Sequence, residues 1–66
     1  MEGEIFLKME NFAYKLHEIS EKIYNYLGVV DKAKEIVDTN KFKEKLQSFA
    51  NEIKTSSEEI IKFLSE

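Results

Sequence analysis

The residues best suited to chemistry are few, and their spacing decides what they can do. His17 is the only histidine, and helical spacing places Glu10 and Glu21 beside it. That trio could in principle hold a metal ion. Di-iron bundles, however, build their centres from Glu-x-x-His pairs on facing helices, and this chain has none. We therefore read His17 as a solvated surface group and expect no metal. Glu58 and Glu59 are adjacent, so they point in different directions around a helix. They suit a helix N-terminus, where negative charge complements the dipole, and not a catalytic carboxylate pair. With one histidine, no cysteine and serines confined to helix faces or ends, there is no nucleophile–base pair. Two isolated glycines cannot form a phosphate-cradling loop. The expectation is a non-enzyme with no catalytic residue, no cofactor and no small-molecule substrate.

Lysine is concentrated at Lys32, Lys34, Lys41, Lys43 and Lys45, but Asp31, Glu35, Asp38 and Glu44 interrupt the run. The ten basic residues are all lysine, so the planar bidentate contacts of guanidinium to bases and phosphates are absent. A mixed-charge solvated face fits better than a nucleic-acid footprint. The net charge of −3 is modest for an acidic imitation of a phosphate backbone.

What must position these groups is helical. The chain has 66 residues, no proline, and only Gly28 as an interior glycine. Apolar residues fall at Ile5, Met9, Phe12, Leu16, Ile19, Ile23 and Tyr26, alternating steps of four and three as in a heptad seam. The same steps recur at Phe42, Leu46, Phe49, Ile53, Ser56, Ile60 and Phe63, with Ser56 the only polar member. Gly28 stands where a left-handed residue could end the first helix. Val30, Ala33 and Val37 could form a short connecting helix. Asp38-Thr39-Asn40 reads as a break and a new N-cap. The expectation is thus an all-α antiparallel hairpin of helices at about 4–27 and 41–64, with a connecting helix at about 30–38, in a single domain spanning 1–66. One unbroken helix from about 4 to 38 competes with the stop at Gly28. Ser56 and Glu59 also resemble a capping box, a possible stop inside the second helix.

The two long segments echo each other. Phe12, Ala13, Ser20, Glu21, Ile23 and Leu27 recur as Phe49, Ala50, Ser57, Glu58, Ile60 and Leu64. Shared amphipathic patterning accounts for this as readily as duplication of one helix. If facing residues carry numbers summing to about 67–70, Ile5 meets Phe63, Phe12 meets Ser56, Ile19 meets Phe49 and Tyr26 meets Phe42. Ala13, Ser20, Ala50 and Ser57 then share one edge. On the other, Lys8 would pair with Glu59 and Lys15 with Glu52, while Lys22 would meet Lys45.

Tyr26-Leu27-Gly28 resembles the aromatic-x-Gly turn of small secreted helical-hairpin proteins of the WXG type. Tyrosine replaces tryptophan, the helices are short for that family, and no matching C-terminal export signal is evident. The three residues assign no family.

A chain this short buries only about 60% of its unfolded surface, and a single core of that size supplies roughly 3–5 kcal/mol. No disulfide can help, and zinc ligands are too few. Yet Phe6, Leu7, Tyr14, Tyr24, Val29, Val30, Ile36, Val37 and Ile61 fall outside the seam or at its margins. Surplus apolar surface of this kind marks contact surfaces, so these nine are the candidate interface. The function expected is protein–protein interaction or regulation, with a homodimer as the simplest partner. An inhibitor that blocks a larger enzyme or nucleic-acid complex is the alternative. No apolar run approaches the ~18 residues of a membrane span, and no signal peptide is evident, which makes the cytoplasm the expected location.

Overall fold

The computed structural model describes residues 2–33 and 38–66. They form two helices, α1 (Glu2–Ala33) and α2 (Thr39–Ser65), which pack antiparallel against each other as a helical hairpin. Its Cα trace measures 51 × 19 × 6 Å, an elongated slab one helix thick.

The first helix does not stop at Gly28. It continues to Ala33, so the expected end near 27 is replaced by the longer alternative, and Val30 belongs to α1 and not to a separate connecting helix. The remainder of the expected 30–38 segment, 34–37, lies outside the described residues. The helix has reason to continue. Val30 extends the seam in phase and is half-buried, and Gly28 has no left-handed φ. The aromatic-x-Gly turn suggested by Tyr26-Leu27-Gly28 is therefore absent.

The break at Asp38 is real. Its carboxylate accepts from the backbone N–H of Asn40 at 2.9 Å and of Lys41 at 3.4 Å. These are donors that the first turn of a helix leaves without an intrahelical partner. The Asp38 carbonyl takes the first helical bond, from Phe42 at 2.9 Å. The capping box suggested by Ser56 and Glu59 opens no helix end, because α2 runs through both.

The seam forms as the heptads require, with Ile19, Phe49 and Ile60 buried along it. Its register differs from the expected one. Tyr26 inserts between Phe42 and Phe49, with ring centroids 5.9 Å and 6.0 Å away, one stacked and one edge-on. It is thus level with position 45, and facing numbers sum to about 71. The shift, about three residues, lets large side chains interdigitate and not meet head-on. The shift rearranges the charged edge. Lys22 pairs with Glu52 at 3.7 Å, in place of Lys15. Lys8 lies over the Phe63 ring at 5.4 Å instead of pairing with Glu59. The feared approach of Lys22 and Lys45 is avoided, since Lys45 lies over the rings of Tyr26 and Phe49 at 5.9 and 5.2 Å.

Candidate functional site

A hairpin of two helices is a layer with two broad faces, and here the faces differ in kind. At 100° per residue, one face carries Lys8, Asn11, Lys15, Glu18 and Lys22 from α1, beside Gln47, Ser48, Asn51, Glu52, Thr55 and Glu59 from α2. These residues line two clefts along the seam, the larger about 620 Å3 and the smaller about 250 Å3. Ser56 contributes to both. It is 3% exposed, and its hydroxyl has no hydrogen-bond partner. The clefts bring together ammonium, carboxylate, amide and hydroxyl groups of mixed sign. His17 lies elsewhere, on the outer side of α1, 3.1 Å from Glu21. No group of three or more metal-ligating side chains occurs among the described residues. The Glu10–His17–Glu21 trio thus forms no such group.

The opposite face is apolar. Along α1 it runs through Phe6, Met9, Ala13, Ser20, Tyr24 and Leu27, a second stripe with helical spacing set to one side of the seam. Along α2 it runs through Leu46, Ala50, Ile53, Ser57, Ile61 and Leu64. Seven of its large side chains are exposed, from Ile53 at 36% to Tyr24 at 74%. Small residues occupy the middle of the α1 stripe, and in α2 they flank the central Ile53.

The nine residues singled out from the sequence are distributed unevenly. Phe6, Tyr24 and Ile61 lie on this apolar face and are well exposed. Leu7 and Tyr14 are exposed too, but on the side of α1 turned away from α2. Val29 is exposed beside the polar face. Val30 is half-buried in the seam. Ile36 and Val37 lie outside the described residues. The hairpin therefore gathers three of the nine on one surface.

Sequence reasoning missed Met9 and Ile53, which it had assigned to the seam, and Leu27 and Leu64, which it had not placed on the interface. All four remain exposed. The signal was present: an apolar stripe broader than 100° is wider than a single partner helix can cover, and a strict seven-residue repeat drifts around a straight helix by ~20° per heptad. Leu16, Ile23 and Leu46 are only half-buried for the same reason.

Among the described residues, no helix is long and apolar enough to cross a membrane. No family model, curated protein or solved structure matches the chain.

Proposed function

We propose that this chain is a non-catalytic protein–protein interaction or regulatory module of the cytoplasm, working through its apolar helix face as a homo-oligomer. The observation that carries the reading is the contrast between the faces. Only Ile19, Phe49 and Ile60 are buried apolar side chains among the described residues, while Phe6, Tyr24, Ile61 and four more large apolar groups stand exposed on one side. Fully burying such side chains is worth about 1.5–3 kcal/mol each. Covering the apolar face would add further burial of this kind.

An inhibitor of a larger enzyme or nucleic-acid complex would use the same face. Lys8, Lys15 and Lys22 beside Glu52 and Glu59 on the polar face favour apolar docking over imitation of a phosphate backbone. Light scattering on a sizing column tests the proposal. The unmodified chain should run as an oligomer at micromolar concentration, and Tyr24→Asp or Leu27→Lys should lower the mass to that of one chain. An unchanged mass in both variants would remove the apolar face from the account. Complexes that dissociate above about 0.3 M salt would favour the electrostatic alternative.

A further inference from the structure

We infer that the occupant of the apolar face is a second copy of this chain, aligned in parallel. The twofold axis runs along the helices, so each α1 lies over the partner's α2 and both turns sit at one end. This rests on the self-association proposed above and specifies its geometry.

Three observations carry it. The first is area. The slab's broad face, 51 Å by 19 Å, is on the order of 1,000 Å2, against the roughly 800 Å2 per partner of a standard specific interface. A second copy is large enough to cover it.

The second is self-complementarity, which a twofold interface requires because the same patch serves both sides. With level residues summing to about 71, Ala13 is level with Ser57, and Ser20 with Ala50. Laying α1 on the partner's α2 brings these small residues around Ile53 at the centre, where Ala13 and Ser20 leave room for its side chain. The large residues meet at the ends: Phe6 and Met9 against Ile61 and Leu64, Tyr24 and Leu27 against Leu46.

The third is charge, and it selects between the two twofold arrangements that stack the faces. In the parallel alignment, Asp31, which helical spacing places on the apolar face, comes within a turn of the partner's Lys43. Turned end for end, each helix would lie on its own equivalent. Lys54 would then face the partner's Lys54, and the acidic edge of α1, with Glu10 and Glu21, would face itself. Like charges placed opposite each other are unfavourable.

A spin label on Asn40→Cys reads the geometry directly, because the chain has no other cysteine. Asn40 is exposed at the start of α2 and lies off the apolar face. Light scattering on the labelled protein comes first, then pulsed dipolar spectroscopy. Parallel copies place the two labels within about 30 Å, two interhelical spacings plus the label arms. End-for-end copies place them about 42 Å apart along the helices, roughly twenty-eight residues of helical rise. The expected result is twice the 7.8 kDa chain mass with the short distance. A dimer with the long distance, or a higher oligomer, would overturn this arrangement and leave self-association standing. A single-chain mass for both labelled and unmodified protein would overturn both.

Discussion

Ser56 and Gly28 are the two residues whose chemistry sits least comfortably with their surroundings. Ser56 occupies a seam position between the levels of Phe12 and Ile19, buried with a hydroxyl that has no partner. Leaving a buried polar group unsatisfied costs about 1–3 kcal/mol. Ser56→Ala removes the hydroxyl and keeps the close packing, so it should raise the urea midpoint by an amount equivalent to about 1 kcal/mol. A lower midpoint would mean that the hydroxyl contributes a bond. Gly28 lies within α1, and a Cβ there would meet nothing within 4 Å. Glycine inside a helix costs about 0.5–1 kcal/mol relative to alanine. Gly28→Ala should therefore stabilise the fold by that amount and increase helical ellipticity. Destabilisation would instead restore the helix end that the sequence suggested.

At the scale of the helices, the cap at Asp38 and the interdigitated seam do different work. Asp38 fixes where α2 begins. Replacing it with alanine removes the acceptor for Asn40 and Lys41 and should cost about 1 kcal/mol, readable as a lower melting temperature. Lys22 and Glu52 are both substantially exposed, so a double-mutant cycle on them should give no more than about 1 kcal/mol; Lys15 and Glu52 should show less. How much of this was legible beforehand depends on how local the signal was. The heptad steps from Ile5 to Tyr26 and from Phe42 to Phe63 identify both helices, and Asp38-Thr39-Asn40 marks the break, because periodicity and capping act over a few residues. Gly28 misled because a glycine terminates a helix only where the chain must turn, and the apolar phase through Val30 favours continuation. The register was misjudged by about three residues because facing positions were matched by number, whereas the aromatic rings of Tyr26, Phe42 and Phe49 interdigitate. The apolar face was half-legible. Phe6, Tyr24 and Ile61 stood out as surplus, but Met9 and Ile53 were absorbed into a seam drawn too wide, and Leu27 and Leu64 were not placed on the interface.

For the whole molecule, the division into a polar and an apolar face is the feature that calls for an occupant. A slab one helix thick has little interior, and its side chains gain a second layer only from outside. Folding and association should then be coupled, so the melting temperature should rise with protein concentration. Sedimentation equilibrium of the unmodified chain, over concentrations from nanomolar to tens of micromolar, tests this most directly. The account predicts a mass of twice the 7.8 kDa chain at the upper end, with helicity lost as the complex dissociates on dilution. A single 7.8 kDa species at every concentration, fully helical and melting cooperatively, would contradict it.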